Sequence, residues 1–103
     1  FFIVQPILGG VDETGPHIYS IDALGGTTEE EYTVTGSGSQ YALGVLEQEY
    51  HDEVSVDEAT TIAAKAIQSA VERDLASGNG INVAVVTDDG VDISRYEEFD
   101  ELL

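Results

Sequence analysis

The chain has 103 residues, of which 21 are Asp or Glu and three are Lys or Arg, so its formal net charge is −18. Three cations cannot form a basic patch for nucleic acid or an anionic membrane, and no apolar run approaches the roughly 20 residues of a membrane-spanning helix. The absence of cysteine excludes disulfides, thiolate zinc sites and thiol nucleophiles. Because 42% of the residues are apolar and regularly spaced, we expect a folded domain with an acidic surface.

The sequence begins with Phe1 and contains no Met, which normally starts a complete translation product. We therefore expect residues 1–103 to be part of a single domain, cut from or encoded within a longer chain. The acidic residues are dispersed from Asp12 to Glu101. This dispersal favours adaptation to high intracellular salt, which screens self-repulsion, over a cation- or partner-binding acidic patch.

The first third of the chain predicts a meander of short strands. Alternating apolar and polar residues indicate a strand over His17 to Asp22, paired with an earlier apolar run. Turn-forming residues follow at Gly9-Gly10, within 12–16 and at Leu24-Gly25-Gly26. The predicted strands cover residues 2–8, 17–22 and 32–35.

Two helices are predicted next. Helical spacing of apolar residues follows the stretch Gly36–Ser39 and continues to Glu49. Ser55 and Glu58 fit a capping box, in which each side chain bonds the other residue's backbone N–H. The second helix should therefore begin there and run to about Ala76.

The C-terminal part predicts a hairpin and a short helix. The stretch Ile81–Thr87 is apolar on both faces, so we expect a central strand, and Asp88-Asp89-Gly90 predicts a hairpin turn before a return over 91–93. Ser94 can cap a terminal helix through Leu103. Strands and helices thus follow each other in blocks, which predicts an α+β fold with helices on a mostly antiparallel sheet.

One carboxylate continues the apolar face of the second helix. A carboxylate on a buried face costs free energy unless it is hydrogen-bonded or paired. Either the helix frays and leaves Asp74 at the rim, paired with Arg73, or Asp74 is held inward at a functional site with Ser77 beside it. The apolar face carries Ala59, Ala63, Ala66, Ile67 and Ala70, and its continuation reaches Asp74 and then Ser77.

The stretch Gly36–Ser39 is a second candidate site. Its small residues would let backbone amides at a helix N-terminus face a ligand or a reactive group, and a simple turn with a helix cap is the alternative. A phosphate loop is disfavoured because the Gly-Lys-Ser/Thr ending is missing, and a serine nucleophile because no Gly-x-Ser-x-Gly pattern is present. His17 and His51 share no metal-ligand spacing, so we expect each to be a strand or loop residue rather than a metal ligand. We also expect no cofactor.

Four stretches carry a family resemblance: GPHIYSIDALGG (15–26), TGSGS (35–39), GVLE (44–47) and RDLASGNG (73–80). In their order and spacing they resemble the C-terminal half of archaeal-type 20S proteasome β subunits. The stretches at 35–39 and 73–80 are the specific part, since they resemble active β subunits. The extreme acidity adds a halophilic archaeon as the expected source.

The resemblance implies the αββα sandwich of N-terminal-nucleophile hydrolases, here only its C-terminal half, with mostly antiparallel strands, two central helices and a short terminal helix. It implies a threonine endopeptidase, in which the amine of an N-terminal Thr takes the proton of its own hydroxyl. Ser37, Asp74 and Ser77 match the residues that position this amine and its water. Because residue 1 is Phe and the single Lys, Lys65, lies on a polar helix face, we expect these 103 residues alone to be inactive.

The same resemblance implies partners and a location. These are proteasome α and β subunits in stacked heptameric rings, a regulatory ATPase ring contacted indirectly, and unfolded polypeptide substrates, all in the cytoplasm and without nucleic acid or membrane. One alternative is a non-catalytic structural β-type paralogue that acts in ring assembly. Another is an unrelated acidic α+β binding module.

Overall fold

The computed structural model describes residues 5–74 and 80–103, which form two antiparallel sheets and two α-helices. The predicted order of elements is confirmed, with a 3-10 helix as the last of them. The elements are β1 (Ile7–Asp12), β2 (Gly15–Ile21), β3 (Thr27–Glu30), α1 (Ser39–Glu49), α2 (Val56–Arg73), β4 (Ile81–Thr87), β5 (Gly90–Tyr96) and the 3-10 helix Phe99–Glu101. Neither α-helix is both long and apolar enough to cross a bilayer.

β1 and β2 form an antiparallel hairpin with its turn at Glu13 and Thr14, between the paired residues Asp12 and Gly15. Asp12 Oδ1 accepts the Thr14 backbone N–H at 2.7 Å, which closes the turn through a side chain. Gly15 has a φ of +115°, a conformation that residues with a Cβ adopt only with strain. The turn predicted within 12–16 is therefore confirmed.

The predicted turn at Gly9-Gly10 is wrong, because both glycines lie inside β1 and pair with β2. Glycine permits a turn without requiring one, and the Asp-x-Thr-Gly sequence a few residues later provides side-chain hydrogen bonds that Gly9-Gly10 lacks. The predicted strand over 2–8 consequently overlaps β1 only at residues 7 and 8. Residues 1–4 lie outside the described part of the chain.

The turn between β2 and β3 is built around Asp22. Its Oδ1 accepts the backbone N–H groups of Leu24 and Gly26, both at 2.9 Å, and returns the chain into β3 at Thr27. The strand predicted over 32–35 is wrong, because those residues follow β3 as irregular chain. Glutamates at positions 29 and 30 have low strand propensity, yet pairing with β2 places them in the sheet.

β4 and β5 form a separate two-stranded sheet. Their bounds agree with the predicted strand over 81–87 and its return, and the predicted hairpin turn is confirmed by the pairing of Thr87 with Gly90. Within residues 5–74 and 80–103, β4 pairs with β5 alone, so the expected central position of β4 is not found there. One face of this hairpin exposes Val91 and Ile93, which are 62% and 70% accessible.

A terminal helix is present as a 3-10 helix, but the predicted cap at Ser94 is wrong. Ser94 lies inside β5, which remains paired with β4 as far as Tyr96 opposite Ile81. The 3-10 helix begins only after Glu98, whose backbone N–H donates to the Glu101 carboxylate at 3.4 Å. Strand pairing therefore outweighs the local capping preference of Ser94.

α2 begins as predicted. The Glu58 backbone N–H donates to Ser55 Oγ at 3.1 Å, and the Ser55 backbone N–H donates to Glu58 Oε1 at 3.3 Å, which is the reciprocal capping box. The helix ends at Arg73 rather than near Ala76, because Asp74 already has extended backbone angles of −121° and 113°. Residues 75–79 lie outside the described part of the chain.

Four of the six buried hydrophobic residues that the structure describes are alanines, and only part of the predicted inner face of α2 is covered. Ala66 and Ala70 are buried as expected, but Ala63 and Ile67 face an apolar groove of about 500 Å³ between the helices and the first sheet. α1 covers one flank of α2, and a helical wheel does not indicate which flank a neighbour covers. The buried hydrophobic residues among those described are Ala42, Ile62, Ala64, Ala66, Ala70 and Ile81.

Candidate functional site

Ser37 lies on the loop that leads into α1. Gly36 precedes it with a φ of +104°, and Gly38, which is buried, is the N-cap of the helix. The Gly38 carbonyl accepts the backbone N–H of Tyr41 at 3.1 Å and that of Ala42 at 3.3 Å, so the first turn is closed by backbone alone. No side chain caps α1. Ser37 is thus exposed beside a helix N-terminus, where backbone N–H groups carry partial positive charge.

Ser37 opens into a cleft of about 470 Å³ where three parts of the fold meet. The loop before α1 forms one wall, Ala70 and Val71 of α2 form another, and the β4–β5 hairpin closes the cleft with Asn82 and Arg95. Asn82 and Arg95 face each other across the two strands. The cleft therefore combines a hydroxyl, an amide, a guanidinium and a helix N-terminus.

Asp74 is half-buried at the C-cap of α2, one helical turn beyond Ala70. Its backbone N–H donates to the Ala70 carbonyl at 2.8 Å, so the position of Asp74 is tied to a residue that lines the cleft. In the last turn of α2, just before Asp74, Arg73 Nη1 lies 3.4 Å from Oε2 of the Glu72 carboxylate. Ser77, the third predicted site residue, falls in 75–79 and lies outside the described residues.

Arg95 is a cleft residue that sequence reasoning missed. It is one of only three cations in the chain, and its Nε donates to Glu97 Oε1 at 3.3 Å. The signal was present in the sequence, because the register of a hairpin with its turn at 88–90 puts Arg95 opposite Asn82. Asn82 follows the Arg73–Gly80 motif by two residues, so the rare cation opposite it could have been singled out as a candidate site residue.

Two other sequence expectations concern histidines and metals. His17 lies in β2 and His51 in the loop between the helices, as expected for strand and loop residues. Among the residues that the structure describes, no group of histidine and acidic side chains is arranged to hold a metal ion. Lys65, on α2, forms an ion pair with Glu49 of α1 at 2.9 Å, across the helix pair.

Comparison with known proteins identifies the family. Residues 1–86 match the family model described as a proteasome subunit, and the chain belongs to that family. It is 87% identical over 103 residues to proteasome subunit beta of Halorubrum lacusprofundi and 73% identical over 103 residues to that of Haloquadratum walsbyi. Over 102 residues it is 74% identical to proteasome subunit beta of Haloferax volcanii.

These relatives come from halophilic archaea, so the resemblance read from the motifs is confirmed. The chain is covered completely, or at 99%, by these matches but spans only 42% of the length of each relative. The α+β arrangement of two helices and antiparallel strands agrees with the C-terminal half of an N-terminal-nucleophile hydrolase fold. The dispersed acidity accords with relatives from salt-adapted organisms.

Proposed function

We propose that this chain is the C-terminal part of a catalytic proteasome β subunit, a threonine-type endopeptidase that cuts unfolded polypeptides into peptides. The observation that carries the proposal is the cleft in which Ser37, the C-terminal half of α2 and the β4–β5 hairpin meet. Proteasome subunit beta is the name of the relatives, which are more than twice as long as the chain. The nucleophile therefore belongs, in this proposal, to the portion of the full-length protein outside these 103 residues.

The proposed nucleophile is the hydroxyl of an N-terminal Thr, and its own amine is the general base. A free α-amine has an ordinary pKa of about 7.7–8.0, so a substantial fraction is neutral near that pH and can take the hydroxyl proton. The hydroxyl oxygen attacks the peptide carbonyl, the amide nitrogen leaves with the proton, and water hydrolyses the resulting ester. Every proton in this cycle passes through the amine, directly or through water.

Ser37 and Asp74 would act on that amine. The Ser37 hydroxyl can accept a hydrogen bond from the ammonium or donate one to a bridging water, while the Asp74 carboxylate favours the ammonium electrostatically. The N-terminus of α1 has the opposite effect, because its partial positive charge disfavours a nearby cation. We assign Ser77 the same positioning role as Ser37. Together these groups would keep the amine basic enough to accept the hydroxyl proton, while leaving enough of it in the neutral form to start the reaction.

The 103-residue chain alone should give no peptide turnover. Its first residue is Phe, and its only lysine is held by Glu49 on the helix pair. Neither a Thr hydroxyl at the N-terminus nor a lysine near the cleft is therefore available within it. Peptide hydrolysis by this chain that is abolished by Asp74→Asn would contradict the proposal.

The decisive experiment is made in the full-length protein. We expect Asp74→Asn to slow peptide hydrolysis at least tenfold, which is a part of the roughly 10²–10⁴-fold that a positioned proton transfer contributes. Ser37→Ala should slow it less, because a water can replace part of the hydroxyl's hydrogen bonding. Size-exclusion chromatography should show unchanged assembly for both variants. The rate should fall through kcat, since the residues act on the nucleophile rather than on substrate binding.

Asp88→Asn and Ser69→Ala are matched controls. Asp88 is an exposed carboxylate in the β4–β5 turn and Ser69 lies on α2, and neither lines the cleft. Both controls should hydrolyse peptide at the unmodified rate. If all four variants hydrolyse at that rate, or the mature protein does not begin with Thr, the alternative of a structural β-type paralogue acting in ring assembly is favoured.

We also propose that the full-length protein assembles with proteasome α and β subunits into stacked heptameric rings in the cytoplasm and receives substrates from a regulatory ATPase ring. Family membership supports assembly into a multi-subunit particle. The apolar side chains exposed on the β4–β5 hairpin, Val91 and Ile93, are of the kind that a further part of the protein or a partner covers. Native mass spectrometry of the purified particle would test the subunit count.

A further inference from the structure

His17 lies in β2 with both of its ring nitrogens directed at oxygen atoms. Nδ1 is 2.7 Å from Oε2 of Glu29 in β3, and Nε2 is 2.6 Å from Oγ1 of Thr14 in the β1–β2 turn. Nε2 is also 3.2 Å from Oδ1 of Asp12 at the end of β1. The imidazole therefore touches side chains from the β1–β2 hairpin and from β3, and it is 21% accessible.

The proton positions follow from the partners. The carboxylate of Glu29 can only accept, so Nδ1 must donate to it. Thr14 Oγ1 lies 2.6 Å from Asp12 Oδ1, and because an ionised carboxylate carries no hydrogen, the Thr14 hydroxyl proton must point at Asp12. The lone pairs of Thr14 Oγ1 then face Nε2, which must also donate. Each contact has a proton only when His17 is the doubly protonated imidazolium.

A neutral His17 would break this arrangement whichever nitrogen kept its proton. Without the Nδ1 proton, a lone pair would face the Glu29 carboxylate at 2.7 Å. Without the Nε2 proton, a lone pair would face the Thr14 hydroxyl oxygen, and that hydroxyl could satisfy it only by abandoning Asp12. Loss of one proton thus costs a contact to β3 or a contact within the hairpin turn.

We propose that His17 is a pH-dependent clasp that fastens β3 to the β1–β2 hairpin while both of its ring nitrogens carry a proton. Irregular chain over residues 31–35 connects β3 to the loop that holds Ser37, so the clasp fixes the strand from which the chain leads into the candidate site. Among the described residues, β3 pairs with β2 alone, over four residues. The side-chain bridge from Glu29, like the 3.3 Å hydrogen bond from Ser20 Oγ to Glu30, therefore adds to the backbone pairing of a short strand.

The ionisable groups around His17 favour its doubly protonated form. The hydrogen bond to Glu29 is the largest cause that raises the pKa of His17 above its ordinary value of 6.5, and the charge of Asp12 adds to it. Hydrogen bonds from Thr14 lower the pKa of Asp12, so Asp12 stays ionised opposite the ring. Tyr19, on the same strand, stacks on the imidazole at a centroid distance of 6.1 Å and brings no charge.

The raised pKa of His17 determines how the stability of β3 changes with pH. A folded-state pKa above 6.5 means that the stabilisation from His17 is fully present below pH 6.5 and is lost as the pH rises through the folded value. β3 should accordingly be held tightly below pH 6.5 and loosen as the pH rises through the folded-state pKa of His17. Salt at molar concentration should weaken the attraction between the imidazolium and the two carboxylates but leave the short hydrogen bonds in place.

Hydrogen–deuterium exchange of the imidazole C2 proton, followed by mass spectrometry in the full-length protein, reads the pKa of each histidine separately. We expect the His17 midpoint above 6.5 and a lower midpoint in both Glu29→Gln and Thr14→Val. Thr14→Ser, which keeps the hydroxyl, is the matched control and should leave the midpoint unchanged. A His17 midpoint at or below 6.5, or one that none of these substitutions moves, would overturn the proposal.

Backbone amide exchange in the same samples measures how firmly the clasp holds β3. After correction for intrinsic rates, protection of Thr27–Glu30 should fall above the His17 midpoint in the unmodified protein and be low at every pH in His17→Gln. Should His17→Gln fail to fold, Glu29→Gln gives the same reading, because it removes the charge but not the side chain. Equal protection of β3 across the pH range in the unmodified and substituted proteins would contradict the clasp.

Discussion

Gly80 leaves the space that the guanidinium of Arg95 occupies. A Cβ built on Gly80 would lie 2.7 Å from Arg95 Nη2 and 3.0 Å from the Tyr96 carbonyl oxygen, and Gly80 has a φ of +76°. The position just before β4 thus requires glycine for two reasons, its backbone conformation and the close approach of β5. Since Arg95 lines the cleft with Ser37, the shape of the candidate site depends on this glycine.

We expect Gly80→Ala to lower the free energy of unfolding by roughly 1–3 kcal/mol, since it adds a steric clash to an unfavourable φ. Gly90→Ala is the matched control, because Gly90 also has a positive φ, +123°, but no atom lies within 4 Å of a Cβ there. Urea unfolding of both variants in the full-length protein measures the difference. An equal cost at the two positions would show that the contact with Arg95 contributes nothing.

Ser55→Ala should lower the free energy of unfolding by about 1 kcal/mol, since it leaves the Glu58 backbone N–H without its side-chain acceptor. Because Ser55 and Glu58 form one capping box, the double variant with Glu58→Ala should cost less than the sum of the single changes. Thermal unfolding of the four proteins completes the cycle. Strict additivity would mean that the box does not act as a unit.

His51 gives a second pH-dependent contribution, at the N-terminus of α2. Its ring nitrogens lie 2.9 Å from the Asp52 backbone carbonyl and 3.1 Å from Glu58 Oε2, and the bond to the carbonyl is the largest cause that raises the pKa of His51. The pKa of Glu58 is lowered, first by its bond from the Ser55 backbone. The pair is therefore fully charged between the lowered value of Glu58 and the raised value of His51.

The stabilisation from His51 should be present below pH 6.5 and be lost as the pH rises through its folded value. We expect His51→Gln to flatten the decline of the thermal midpoint above pH 6.5, with an effect that shrinks at molar salt because the ring is 56% accessible. Asp52→Asn, which keeps the backbone carbonyl, should preserve most of the decline. A midpoint with the same pH dependence in His51→Gln would be contrary to this prediction.

Ala64, on α2, is fully buried at 0% accessibility, so there is no room for a larger side chain. We expect Ala64→Leu to cost about 1–3 kcal/mol through overpacking. Ala23→Leu, in the exposed turn after β2, should be neutral within about 0.5 kcal/mol, as substitutions at exposed positions usually are. Chemical denaturation distinguishes the two, and a neutral Ala64→Leu would indicate that α2 can shift on α1.

Features that depend on neighbours in sequence were predictable from the sequence. The start of α2 at the capping box and the bounds of β4 each follow from residues within one short stretch. The specific motifs around Ser37 and Asp74 likewise identified the family before any coordinates, because they are short and contiguous. The sequence also indicated that Asp74 continues the apolar face of its helix, whereas the other acids of that helix, apart from Asp57 in its first turn, face outward.

Long-range pairing decided the remaining features. β3 begins at Thr27 because the Asp22 turn and the register with β2 outweigh the poor strand propensity of its glutamates, and Ser94 stays in β5 because β4 pairs with it. The inclusion of Arg95 in the cleft and the contact of His17 Nδ1 with Glu29 depend on residues 12 or more positions apart, which no local pattern contains.

The sequence by itself determined the family, the order of elements and an acidity suited to salt, because these reside in composition and contiguous motifs. Tertiary structure alone decided which flank of α2 is buried, which residues surround Ser37 and which of the 21 acidic residues accept hydrogen bonds from histidines. The physical reason is that burial and hydrogen bonding are properties of pairs of residues, and the pairs are made only when the chain folds.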